Sequence, residues 1–105
     1  MKSITALELK AKLDANEPLQ LIDIREEHEV MISSLDGEHI PMADILHVSE
    51  KINKEGLVVI HCRSGKRSAA VIHALESKYS FDNLYNLEGG ILAWAQQVDP
   101  LMEQY

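Results

Sequence analysis

Leu57-Val58-Val59-Ile60-His61-Cys62-Arg63-Ser64-Gly65-Lys66-Arg67-Ser68 is the stretch that decides how this chain is read. Its first residues form a β-branched, apolar run with Gly56 before it and Gly65 after it, which predicts a buried strand. An apolar run of this kind suits a parallel sheet covered on both faces. From Ser68 onward, Val71, Ile72, Leu75 and Tyr79 fall on one face of a helix. Between strand and helix lies a loop of small and basic residues, with Cys62 just past the strand's carboxyl end. In open α/β sheets, ligands bind in the crevice beyond those strand ends.

Working outward, the flanking segments alternate in the same way. Thr5-Ala6-Leu7-Glu8 has the form of a capping box, and Ala6, Leu9 and Leu13 continue it as a short amphipathic helix ending near Asn16-Glu17-Pro18. Leu19 to Ile24 reads as a buried strand that runs into the charged stretch Asp23-Ile24-Arg25-Glu26-Glu27. A short helix is expected within residues 26–36, and a turn with a brief extended piece over Gly37-Glu38-His39-Ile40-Pro41. A helical segment is expected over Asp44 to Ile52. Leu84-Tyr85-Asn86-Leu87 reads as a strand and Glu88-Gly89-Gly90 as a turn. Ile91, Trp94, Ala95 and Val98 then mark a helix that Pro100 ends. This order predicts one α/β domain over residues 1–105, with a mostly parallel central sheet.

The chemistry concentrates in the cysteine loop. A helix start leaves backbone N–H groups unpaired and carries partial positive charge. A tight loop wrapped over that start can aim several N–H groups at one centre, an anion nest. Arg63, Lys66 and Arg67 add positive charge there, in a chain whose formal net charge is −7. Such surroundings favour thiolate over thiol, and the thiolate is the nucleophile. Gly65 allows close backbone approach or positive φ. The competing reading is a buried, inert core thiol, but a core cysteine is not ordinarily followed by Arg-Ser-Gly-Lys-Arg. Four residues separate Cys62 from Arg67. The related phosphatase loop has one more between its Cys and Arg, which makes a cradle for phosphate oxygens. The shorter loop suits a single sulfur or a small anion.

Leu21-Ile22-Asp23-Ile24-Arg25-Glu26, His39-Ile40-Pro41, Val58 to Ser68 and Tyr85-Asn86-Leu87-Glu88-Gly89-Gly90-Ile91-Leu92-Ala93-Trp94 together resemble the rhodanese homology domain, in its order and spacing and over nearly the whole chain. The resemblance implies a rhodanese-like fold of about five strands, mostly parallel, flanked by helices on both faces. It implies a sulfurtransferase in which Cys62 takes sulfane sulfur from thiosulfate or another persulfide and hands it to cyanide or a thiol. It further implies that the backbone of Arg63, Ser64, Gly65, Lys66 and Arg67 cradles the persulfide. Glu26 to Val30, Leu35 to Pro41 and Trp94 to Pro100 are similar to the rhodanese domain fused to adenylating enzymes that activate ubiquitin-like sulfur carriers. A protein sulfur carrier is accordingly a further acceptor. Met42 stands where many members have Gly, a departure near the site that bears on substrate choice.

Other residues weigh differently. Asp23 and Arg25, at the neighbouring strand end, are expected to support the loop, as is Ser68. His61 precedes the cysteine, but adjacent strand residues point to opposite faces, so half-buried packing is favoured over a base role. His28, His39, His47 and His73 lack metal-ligand spacing, and no metal or cofactor is expected. Trp94 is expected in the core, and Gly89-Gly90 in a tight turn rather than a phosphate loop.

Composition narrows the remaining classes. The acidic balance argues against nucleic acid as a partner. The longest apolar run, Leu57 to Ile60, is far too short to span a membrane. The amino-terminal residues carry no apolar signal region, and a single cysteine excludes an internal disulfide. These features point to a cytoplasmic protein. Two other functions stand beside sulfur transfer: a relay module that holds sulfur only within a complex, and a phosphatase or arsenate reductase.

Overall fold

The computed structural model describes residues 1–104; Tyr105 lies outside the described residues. The Leu57–His61 run is the middle strand of a five-stranded parallel sheet. In chain order the elements are β1 (Lys2–Ile4), α1 (Ala6–Asp14), β2 (Leu19–Asp23), α2 (Glu27–Ile32) and β3 (Glu38–His39). They continue with α3 (Met42–Ile45), a 3-10 turn (Ser49–Lys51), β4 (Leu57–His61), α4 (Lys66–Tyr79), β5 (Leu84–Leu87) and α5 (Gly90–Gln97). The sheet order is β1-β5-β4-β2-β3, every pairing parallel. β4 pairs with β2 from Leu19↔Leu57 to Asp23↔His61, and with β5 from Val58↔Leu84 to Ile60↔Asn86.

Strand alternation splits the core in two. Val58, Ile60, Ile22 and Ile24 pack with Ile45 of α3 and with Val71, Ile72 and Leu75 of α4. Val59 and Leu21 face the other way and pack with Ala6 and Leu9 of α1 and Trp94 of α5. The sheet is thus covered on both faces, which is why β4 is apolar from Leu57 to Ile60 rather than alternating. Among the described residues, no helix is long and apolar enough to cross a membrane.

The capping box forms as read: the Thr5 N–H donates to Glu8 Oε1 at 2.9 Å and the Glu8 N–H to Thr5 Oγ1 at 3.1 Å. Three segments differ from the sequence reading. α4 starts at Lys66, not Ser68, because Gly65 takes the N-cap position with φ 99° and the basic residues already form the first turn. The helix expected over 44–52 is instead α3 at 42–45 and a separate 3-10 turn at 49–51. Pro41 starts it early, its carbonyl accepting from the Asp44 and Ile45 N–H groups, and the break lets Ile45 and Ile52 both reach the core. β1 was not foreseen; it is a three-residue edge strand with one buried side chain, Ile4.

Leu9 is fully buried on the sheet side of α1, whereas its neighbour Leu7 is 60% exposed. Leu9→Ala should therefore cost about 2–5 kcal/mol of unfolding free energy, and Leu7→Ala less than about 0.5 kcal/mol. Urea titration of the two variants checks which face of α1 carries the packing.

Candidate active site

The site is built where β4 ends. Cys62 follows the strand, residues 63–65 turn, and the first turn of α4 closes over the sulfur. The Gly65 N–H donates to Cys62 Sγ at 3.1 Å and the Ser68 N–H at 3.4 Å, with Ser68 Oγ also 3.4 Å away. The side chain is buried, with Ile24 and Ile60 in the same apolar cluster. Burial alone would push the thiol up. The Ser68 hydroxyl and the backbone N–H groups of Ser68, Gly65 and Arg67 outweigh it, and the thiol pKa lies below its ordinary value.

The loop is shaped from behind by the start of α5. The Ile91 N–H donates to the Cys62 carbonyl at 3.0 Å and the Leu92 N–H to the Arg63 carbonyl at 3.1 Å. Because peptide units are planar and trans, carbonyls held toward α5 turn the N–H groups of Arg63 and Ser64 away from it. Gly90 makes this approach possible: a Cβ there would lie 2.7 Å from the Cys62 carbonyl oxygen and closer still to that of Arg63, and its φ is 61°. From β5, Asn86 Nδ2 donates to the Gly65 carbonyl at 3.1 Å, and the Ser68 hydroxyl donates to Asn86 Oδ1 at 2.5 Å.

Charged groups fix the loop from the side. Arg67 forms a two-pronged pair with Glu29 of α2, at 2.8 and 2.9 Å. That pairing with Arg67 holds the Glu29 carboxyl at about 2, against burial that opposes ionisation. Arg25 is fully buried. It donates from Nε and Nη2 to the Asp23 carboxylate at 3.0 and 2.7 Å, and from Nη2 to the Ser33 carbonyl at 2.7 Å. Nη1 reaches the Glu29 carbonyl at 3.4 Å, so one guanidinium staples α2 to the end of β2. Burial would raise the Asp23 carboxyl, but Arg25 holds it below the usual range. His39 donates from Nε2 to the Arg25 carbonyl at 2.6 Å.

Cys62, Gly65 and Ser68 therefore meet at one sulfur, and Arg67 contributes through its backbone while its side chain engages Glu29. Arg63, Ser64 and Lys66 are exposed at the mouth. Asp23 and Arg25 act on the loop through α2: Arg25 holds the Glu29 backbone, and Glu29 holds Arg67. His61 departs from the half-buried placement expected of it. It is fully buried beside Asp23, with Nε2 3.8 Å from Oδ2, and burial holds its pKa at about 4, so it is neutral at neutral pH. Sequence reasoning gave Glu29 and Asn86 no part in the site, and it read Gly89-Gly90 as a tight turn without linking Gly90 to the cysteine loop. Glu29 follows Glu26 at capping-box spacing, and Asn86 is a polar residue inside a short strand; those were the available signals.

Residues 5–97 match the family described as Rhodanese-like domain. The chain is 39% identical over 101 residues to a putative sulfurtransferase, YtwF, of Bacillus subtilis, covering 95% of this chain and 96% of that protein. It is 35% identical over 106 residues to a probable adenylyltransferase/sulfurtransferase, MoeZ, of Mycobacterium tuberculosis. That match covers 98% of this chain and 27% of the relative, so the chain spans about a quarter of that protein's length. A crystal structure of a rhodanese-like domain protein from Staphylococcus aureus superposes with a TM-score of 0.81 at 37% identity, covering 100% of this chain and 99% of the other.

Gly90→Ala should cost roughly 2–4 kcal/mol, from overpacking against a backbone that cannot yield and from positive φ; chemical denaturation measures it. A second expectation concerns acid. The Glu29 pKa falls from 4.5 to about 2 on folding, so its stabilisation is complete above pH 4.5 and is lost as pH falls toward 2. His61 falls from 6.5 to about 4, so between those values the unfolded chain takes up the proton first and acid destabilises the fold. Urea midpoints from pH 7 to 3 should decline for the parent protein, and for Glu29→Gln the decline below pH 4.5 should be shallower. Parallel curves there would show that the Glu29–Arg67 pair does not set the acid limb.

Proposed function

Because the chain belongs to the rhodanese-like domain family, we propose that it is a sulfurtransferase that carries sulfur as a persulfide on Cys62. The observation that carries this reading is the Cys62 sulfur, hydrogen-bonded by the Gly65 and Ser68 N–H groups at the helix start beyond β4. Arg63, Ser64, Lys66 and Arg67 complete the loop that receives the donor, and Asp23, Arg25 and Ser68 support it.

The reaction runs in two displacements. The Cys62 thiolate attacks the outer sulfur of thiosulfate; a new S–S bond forms, the old one breaks, and sulfite leaves with the electron pair. An acceptor thiolate, or cyanide, then attacks the outer sulfur of the persulfide, and Cys62 leaves as thiolate. Both the thiolate and the persulfide are anions, so the same N–H groups that lower the thiol pKa also favour the loaded state. No separate base is required, which fits a His61 that is buried and neutral.

Two features weigh against phosphate ester hydrolysis. The loop has four residues between Cys62 and Arg67. The Arg67 guanidinium is occupied by Glu29 rather than turned to an anion in the loop. The physiological partners are a small sulfur donor and a thiol acceptor. Likeness to one stretch of an adenylyltransferase/sulfurtransferase makes a protein sulfur carrier the acceptor to test beside small thiols.

Intact-mass analysis after incubation with thiosulfate should show a gain of one sulfur atom, removed by reductant and absent in Cys62→Ser. Thiosulfate:cyanide transfer by Cys62→Ser should fall by more than about a thousandfold. Loading of sulfur onto that variant, or turnover of an aryl phosphate without sulfur loading, would refute the reading.

A further inference from the structure

Ser68 has one hydroxyl proton and two neighbours that compete for it. Asn86 Oδ1 lies 2.5 Å from Ser68 Oγ and Cys62 Sγ lies 3.4 Å from it. The orientation of the Asn86 amide is not free, because its Nδ2 donates to the Gly65 carbonyl at 3.1 Å; a flipped amide would set two acceptors against each other. Oδ1 must therefore face Ser68, and the shorter contact holds the proton.

We propose that Asn86 is a positioning residue of the sulfur loop: it holds the only proton of the Ser68 hydroxyl, so the resting sulfur meets the lone pairs of that oxygen, and the hydroxyl must leave Asn86 to serve an anionic sulfur. In the resting arrangement the Cys62 S–H donates to Ser68 Oγ and the Ser68 O–H donates to Asn86 Oδ1. When the thiol ionises, its proton passes to solvent, the Ser68 hydroxyl rotates, and the bond to Asn86 is replaced by one to Sγ. The backbone N–H groups of Gly65 and Ser68 donate to sulfur in both states. Ionisation is thus favoured by the backbone donors and the turned hydroxyl, but opposed by the loss of two hydrogen bonds, that of Ser68 to Asn86 and the weak one from the thiol to Ser68 Oγ. The help that the Ser68 hydroxyl gives the thiolate is the net of the bond gained and the two lost.

The loop and the elements around it also carry charged and titratable groups: Arg63 in the loop, Lys66 and Arg67 on α4, Glu29 on α2, Asp23 and Arg25 at the end of β2, His39 on β3, His61 on β4 and Glu88 after β5. Tyr85 is the titratable residue of β5 and α5 carries none. The assignment rests on Cys62 as the working thiol only for its consequence in turnover. Alkylation reads the thiol directly, so failure of sulfur loading and failure of this assignment are distinguishable.

The test is a cycle on the pH dependence of iodoacetamide alkylation of Cys62 in the parent protein, Asn86→Ala, Ser68→Ala and the double variant. Asn86→Ala should lower the thiol pKa by about half to one unit, the worth of one neutral hydrogen bond. Alkylation below the pKa should then rise about three- to tenfold. In the Ser68→Ala background the same substitution should leave the profile unchanged. Asn86→Val, a good strand former, repeats the cycle if the alanine variant does not fold. An unchanged or raised pKa in either single variant at position 86, or an equal shift with and without the hydroxyl, would overturn the proposal. An equal shift would place any influence of Asn86 in its bond to Gly65 alone.

Discussion

The bonds from the first turn of α5 to the carbonyls of Cys62 and Arg63 are the constraint on which the site depends. They orient the peptide units of the loop, and that orientation leaves backbone donors for the sulfur. The contact is backbone against backbone, so it tolerates no side chain at Gly90. A segment distant in sequence from the cysteine thereby fixes the geometry around it. Asn86, three residues before Gly89 on the same strand and turn, holds the loop at a second point through the Gly65 carbonyl.

Charge has a different part from the one the sequence suggests. The basic residues of the loop look like direct partners for an anionic sulfur. In the fold, the groups that favour the thiolate are backbone N–H groups and the Ser68 hydroxyl, while the Arg67 guanidinium is spent on Glu29. Asp23, Arg25, Glu29 and Arg67 form a line of alternating charge from the end of β2 through α2 to the start of α4. Buried charges of this kind need their partners and hydrogen bonds, and removing one member leaves the others uncompensated. The line is architecture: it sets where the loop sits, and the loop's amides do the electrostatic work at the sulfur.

Much of this was legible before the fold was known. The β-branched run at 57–61 announced the central strand, and the small and basic residues after Cys62 announced a loop that closes over its sulfur. The capping box at Thr5 and the stripe at Ile91, Trp94 and Ala95 placed two helices. What stayed hidden was non-local. β1 has a single buried residue and forms only because β5 offers it an edge. α3 was misplaced because its end is set by how Ile45 and Ile52 reach the core rather than by propensity. Glu29, Asn86 and Gly90 lie far from Cys62 in sequence, and only the sheet order brings them to it.

That order has a kinetic corollary. β1 joins the sheet beside β5, pairing Lys2 with Tyr85 and Ile4 with Leu87, so one edge closes only when distant parts of the chain have met. Long-range pairing of this sort is slow, because loop-closure entropy is lost before the contacts form. The amide ring around Cys62 draws on β4, α4, β5 and α5, so it exists only once these are assembled. A newly made chain therefore lacks the backbone donors that lower the thiol pKa, and that environment arrives together with the finished architecture.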